Sequence, residues 1–196
     1  MVGLRGLPEE LKQALELLPS SAHPMDVMRT GCSVLGNLEQ EQDFSQQLDA
    51  TERMLALFPA IICYWYRFSH DGVRIDTADQ TEDCIGGYFL KMLTDKAPSN
   101  LHKQVMHCSL ILYAEHEFNA STFAARVCAS TLSDLHSCIT GAIGTLRGPL
   151  HGGANEAAME MIESWMTPDE AEANIMQMLA NKDKNHGLWS RDLSGK

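Results

Sequence analysis

Histidine trades protons near neutral pH more readily than any other side chain, and it occurs eight times in this 196-residue chain. Acid–base or metal work needs partners at fixed spacing, and most of these histidines have none. His23, His70, His102, His107 and His136 read as surface or core-edge residues. His116-Glu117 would open a helical zinc site only if a second His followed at position 120, which is Ala. No metal is expected. Asn119-Ala120-Ser121 matches a glycosylation sequon, but with no export signal in the chain the match is read as accidental. The six cysteines, Cys32, Cys63, Cys84, Cys108, Cys128 and Cys138, are spread singly without a CxxC pair. They read as buried thiols in a reducing compartment.

Two stretches hold chemistry-bearing residues in a tighter pattern. In Tyr113-Ala114-Glu115-His116-Glu117-Phe118-Asn119-Ala120-Ser121-Thr122 a His stands between two acids at the break between two apolar helices. Asn119 and Ser121 there are suited to capping the second helix. In Arg147-Gly148-Pro149-Leu150-His151-Gly152-Gly153-Ala154-Asn155-Glu156 a glycine-rich loop lifts one His to the start of a new helix. Glycines let backbone approach a ligand closely, and a helix N-terminus offers donors to negative charge. Taken singly, each stretch also reads as a plain helix junction.

The elements that must carry these stretches are helical. Pro8-Glu9-Glu10 opens a helix whose Leu11, Leu15 and Leu18 share a face before Pro19. His23-Pro24 opens a second, from Met25 to about Leu35, stopped near Gly36. A polar stretch, Asn37–Asp43, precedes a long helical region, Phe44–Arg67, in which Pro59 predicts a kink or break. His70-Asp71-Gly72 turns the chain into a polar loop, Val73–Asp83. Helical periodicity returns over Ile85–Leu93, Leu101–Glu115, Ser121–Ser130, Asp134–Arg147, Ala154–Trp165 and Pro168–Asn181. No run alternates with period two, so an all-α assembly of packed helices is expected.

Composition narrows the function classes. A 44% hydrophobic content at this length supports one domain with a real core. The net charge of −11 argues against a surface that tracks nucleic-acid phosphates. The longest apolar stretches fall well short of the ~20 residues that cross a bilayer, so no membrane partner is expected. A cytoplasmic location follows as the default expectation.

Together the two stretches carry a resemblance that neither carries alone. Gly148-Pro149-Leu150-His151-Gly152-Gly153-Ala154-Asn155 resembles the signature loop of the citrate synthase family, and Ala114–Thr122 resembles its companion oxaloacetate-binding stretch. His23-Pro24-Met25-Asp26-Val27-Met28-Arg29-Thr30-Gly31, Tyr64-Trp65-Tyr66 and Ile85-Gly86-Gly87-Tyr88-Phe89-Leu90 are closer to its 2-methylcitrate-forming branch. The resemblance covers residues 2–184. It implies the all-α large domain of that family and a condensation of propionyl-CoA or acetyl-CoA with oxaloacetate that releases CoA. It implies that His151 is catalytic, stabilising the enol of the acyl-CoA, and that His116 holds oxaloacetate. Asn119 and Asn155 would support substrate binding, and Leu150 and Gly152 would lie against CoA. It implies no metal and no permanently bound cofactor, with acyl-CoA as substrate, and a homodimer. His116 and His151 are then expected to face each other across one cleft.

The chain also departs from the family pattern. The small-domain Gly-Phe-Gly-His loop, the proton-abstracting Asp and the carboxylate-clamping arginines that the resemblance calls for are absent, so the large domain is expected to be incomplete and the small domain missing. Residues 185–196, Asn185 to Lys196, match no part of the family. Back-translated with permitted codons and read one base on, they can give Ile-Met-Gly-Phe-Gly-His-Ala-Ile-Tyr-Arg, which the family carries at this point. A frameshift after Lys184 is therefore expected, with a tail in which Leu188 and Trp189 pack against little. The isolated chain is expected to be inactive. The alternatives are a non-catalytic helical partner in assembly, or one half of a split synthase.

Overall fold

A computed structural model describes residues 2–114 and 118–181. His116 lies outside the described residues, and so do Lys184 and the tail with Leu188 and Trp189. Among the described residues all regular structure is helical, as the periodicity predicts, with nine α-helices and two short 3-10 turns. The chain divides into two compact units, Met1–Gly144 and Thr145–Lys196.

The first unit is organised around one long helix. Helices α1 (Glu9–Glu16), α2 (Pro24–Leu38) and α4 (Ile85–Thr94) all pack on α3 (Gln47–Asp71). From α3, Met54, Leu57, Ala60, Ile61, Tyr64 and Trp65 are buried. Leu11 and Leu15 of α1, Val27, Cys32 and Leu35 of α2, and Tyr88 and Met92 of α4 meet them. Spacing of three and four residues puts each set on one helix face, which is the periodicity seen in the sequence. Next come α5 (Asn100–Tyr113), packed on α4, then α6 (Ala120–Ala129) and α7 (Leu135–Leu146). The second unit holds α8 (Gly153–Glu163) and α9 (Pro168–Ala180).

Two helices and one histidine differ from the sequence expectation. The α3 helix runs unbroken through Pro59 to Asp71, where Gly72 ends it in the left-handed conformation. An interior proline forfeits one backbone bond and costs about 3 kcal/mol, and the buried face that continues through both halves of α3 offsets that loss. The α2 helix does not stop at Gly36 but continues to Leu38. Gly36 is a notch, since a Cβ there would lie 2.6 Å from the His136 Cβ. His136 accordingly corrects its assignment to the surface or core edge. It is 3% exposed, and neither ring nitrogen has a hydrogen-bond partner. Leaving a buried polar group unpaired costs about 1–3 kcal/mol.

The cysteines divide by depth. Cys32, Cys63 and Cys138 are buried as expected, whereas Cys84 and Cys128 are half-buried and Cys108 is exposed. Burial pushes the Cys63 thiol up to about 12, which keeps it protonated and unreactive. No helix among the described residues is long and apolar enough to cross a membrane.

Polar contacts fix the segment between α3 and α4, which the sequence marks only as a loop. The Tyr88 hydroxyl donates to the Thr77 carbonyl at 2.6 Å, and the Leu7 N–H donates to the Thr77 hydroxyl at 3.0 Å. Arg5 donates to the Glu82 carbonyl at 2.6 Å while its guanidinium lies 4.1 Å over the Tyr88 ring. Lys91 of α4 pairs with Asp79 at 2.5 Å, and the Thr81 hydroxyl and N–H also donate to Asp79. Lys91 first, and Thr81 after it, hold the Asp79 carboxyl down at about 2.

That depressed value has a sign. Asp79 contributes stability that is present above its unfolded value near ~3.9 and is lost as pH falls through about 2. Thermal melts of the wild-type chain and an Asp79→Asn variant should differ most above ~pH 4 and converge towards pH 2. A constant gap across that range would remove Asp79 from the acid limb.

Candidate active site

The glycine-rich loop is built from backbone hydrogen bonds that fold it back on the end of α7. The Gly148 N–H donates to the Thr145 carbonyl at 3.2 Å, and the His151 N–H to the Gly148 carbonyl at 3.0 Å. Gly152 then reaches back to the Leu146 carbonyl at 2.9 Å, and Gly153 to the Gly148 carbonyl at 3.2 Å. These bonds wind the loop into two tight turns and launch α8 from Gly152. His151 rides at the crest, half-buried, and Leu150 beside it is 84% exposed.

Gly152 has no room for a side chain. A Cβ there would lie 2.3 Å from the Leu146 carbonyl oxygen and 2.9 Å from its side chain. The nearest obstacle is backbone and cannot rotate away. Asn155 falls in the first turn of α8, where no side chain caps the helix. Leu150, His151, Gly152 and Asn155 are thus gathered within one loop and one helical turn of the second unit.

The other candidates belong to the first unit. Asn119 caps α6, its Oδ1 accepting the Thr122 N–H at 2.8 Å. That bond leaves the side-chain amide NH2 for a second partner. The expected approach of His116 to His151 involves a residue outside the described set. Among the described residues no group of three His, Cys, Asp or Glu converges as a metal site.

Chemically, the loop carries an imidazole between an exposed apolar residue, Leu150, and the close-packed Gly152. Such a group can donate a hydrogen bond to an oxygen that gains charge during reaction. Gly152→Ala should lower stability by about 1–3 kcal/mol, as overpacking does. Gly141 of α7, which has nothing within 4 Å of its Cβ position, is the control. Gly141→Ala should be neutral or stabilising by about 0.5–1 kcal/mol. Urea melts of the two variants check the contrast, and equal effects would contradict the steric reading of Gly152.

Comparison with known proteins bears on the same residues. The family model for the citrate synthase C-terminal domain matches residues 1–190. The 2-methylcitrate synthase of Shewanella oneidensis is 66% identical over 186 residues, covering 95% of this chain and 49% of that protein. The citrate synthase of Heyndrickxia coagulans is 40% identical over 188 residues, 94% of this chain and 50% of that one. Among solved structures, Thermotoga maritima citrate synthase superposes with a TM-score of 0.78 at 34% identity, over 93% of this chain and 48% of its own. The Thermoplasma acidophilum enzyme, in a ternary complex with carboxymethyl coenzyme A and oxaloacetate, gives 0.80 at 25% identity, over 95% and 49%. The chain spans about half the length of the relatives it matches. With its all-helical fold and its Gly148–Asn155 loop, this chain belongs to the citrate synthase family.

Proposed function

We propose that the chain serves the condensation of an acyl-CoA with oxaloacetate, with propionyl-CoA as the preferred acyl donor. The observation that carries this reading is the His151 loop, held by backbone bonds at a place where Gly152 admits no side chain. The acyl α-carbon loses a proton, the resulting enol attacks the oxaloacetate ketone to form a carbon–carbon bond, and water then cleaves the thioester to free the CoA thiol. His151 donates to the thioester oxygen as its negative charge grows. His116 holds oxaloacetate, Asn119 and Asn155 support it, and Leu150 and Gly152 border CoA. Propionyl-CoA is favoured over acetyl-CoA by the identity of 66% to a 2-methylcitrate synthase against 40% to a citrate synthase. A homodimer and a cytoplasmic location belong to the same proposal.

The reading includes a negative. The 196 residues contain no Gly-Phe-Gly-His loop, and no Asp among the residues assigned here removes the α-proton. Loss of a general base alone lowers a rate by ~10²–10⁴, and loss of positioning groups compounds it. A second reading, a helical assembly partner, draws on α5. That helix buries none of its residues and leaves Leu112 and Tyr113 each 74% exposed.

Thiol release from propionyl-CoA with oxaloacetate tests the proposal. The 196-residue chain alone should release none, and a chimera joining residues 1–184 to the remaining half of the Shewanella oneidensis relative should turn over. His151→Ala in the chimera should lower kcat by about 10²–10³. Robust turnover by the 196 residues would show the catalytic groups misplaced, and an active His151→Ala chimera would remove His151 from the mechanism. A chimera that folds but never turns over would favour the assembly partner.

A further inference from the structure

A pair of thiols at the junction of α6 and α7 plays no part in the acyl-CoA reading. Cys128 is the last residue but one of α6, and Cys138 stands in the first turn of α7. The turn between them is tied from both sides. The Ser130 and Leu132 N–H groups donate to the Arg126 and Ala129 carbonyls at 2.9 Å each. Thr131 donates to the Cys128 carbonyl with its N–H at 3.1 Å and its hydroxyl at 2.7 Å. On the other side Asp134 accepts the Ser137 N–H at 2.9 Å and the Ser137 hydroxyl at 2.6 Å, and its carbonyl accepts the Cys138 N–H at 3.2 Å. Between these anchors Leu132 is held at φ 64°, a left-handed conformation that leucine rarely adopts. Such a conformation persists only where surrounding bonds overdetermine the backbone. The turn therefore sets the separation of the two helix ends.

That separation brings sulfur to sulfur. The Cys138 S–H has two acceptors in reach, the Ser133 carbonyl at 3.9 Å and the Cys128 sulfur. Cys32 and Cys63 instead aim their S–H groups at the His136 and Phe89 carbonyls, at 3.7 Å each. The two members of the pair differ in access. Cys128 is half-buried and open to a small reagent, whereas Cys138 is 4% exposed. Burial first, and the contact with Cys128 after it, push the Cys138 thiol up. It stays protonated near neutral pH and is no first nucleophile.

We propose that Cys128 and Cys138 form a reversible disulfide, a peroxide-sensitive site that ties the end of α6 to the first turn of α7. The Cys128 thiolate attacks one oxygen of a hydroperoxide, the O–O bond breaks, and the other oxygen leaves as water or an alcohol after taking up a proton. Cys128 is then a sulfenic acid. The Cys138 sulfur attacks the sulfenic sulfur, and its proton leaves with the hydroxyl as water. Two thiols are oxidised and one peroxide is reduced. The second step is internal, so the buried thiol never has to meet solvent, and the sulfurs need only close to the ~2.0 Å of an S–S bond. A dithiol reductant reopens the bond by exchange and is itself oxidised to a disulfide.

Peptide mass spectrometry on the 196-residue chain tests this, with hydrogen peroxide as the oxidant. Trypsin cuts after Arg126 and Arg147, so both cysteines fall in one peptide, 127–147. After peroxide and alkylation of the remaining thiols, that peptide should be lighter by two hydrogens and carry no alkyl group, and dithiothreitol should restore both alkylation sites. In Cys138→Ala, dimedone should capture a sulfenic acid at Cys128, and in Cys128→Ser it should capture none at Cys138. Circular dichroism confirms that the variants fold, and should Cys138→Ala fail, the wild-type peptide and the half-buried Cys128→Ser still decide. Two alkylated thiols in peptide 127–147 after peroxide would overturn the proposal. So would a link that forms only in urea, or one that joins Cys128 to a different cysteine. Dimedone on Cys138 in Cys128→Ser, or none on Cys128 in Cys138→Ala, would overturn the assigned order of attack.

Discussion

Burial of α3 is the constraint on which the first unit depends. A 25-residue helix whose middle carries Leu57, Pro59, Ala60, Ile61, Tyr64 and Trp65 has too broad an apolar surface for one neighbour to cover. Three helices therefore close on it, with α1 and α2 on the N-terminal side of the sequence and α4 after the 73–84 segment. Side-chain bonds at the edges then tie them together. The Tyr64 hydroxyl, at the margin of the core, donates to Glu16 of α1 at 2.7 Å, and Arg74 grips the same carboxylate with two bonds of 2.7 Å. Arg74 first, then Tyr64, lowers the Glu16 pKa, so the carboxylate stays charged where it ties α1 to both ends of that turn.

The same logic explains why a segment without regular structure can be well placed. Residues 73–84 bury Thr77 and Glu82, two polar side chains that would be unfavourable inside without partners. Each has one. Thr77 exchanges bonds with Leu7 and Tyr88, and Glu82 pairs with Lys103 of α5. The N-terminal residues, α4 and α5 are thus joined through polar contacts of this loop as well as through packing. This joint suits α5, which has no fully buried residue and packs on α4.

Helix existence, order and class were readable because apolar residues recur at helical spacing in every segment. The Gly148–Asn155 loop stood out in the sequence for a different reason, since its run of glycines allows the close backbone approach that Gly152 makes to Leu146. The errors are equally specific. Gly36 looked like a stop because glycine commonly ends helices, and only the approach of His136 from α7 shows that it is a packing notch. His136 looked peripheral because histidine usually is, and its burial depends on α7 meeting α2, a contact between residues about a hundred positions apart. Pro59 looked like a break because local propensity carries no information on how much apolar surface the two halves of α3 bury together.

Gly152 shows how close backbone packing can fix the course of a loop. Backbone bonds among residues 145–153 set the course of the loop on either side of His151. The arrangement has a steric consequence. Because Gly152 rests on the Leu146 carbonyl, the height of the loop is set by the last turn of α7, and a shift of that turn moves His151 with it. Precision at the site is therefore inherited from the end of a helix.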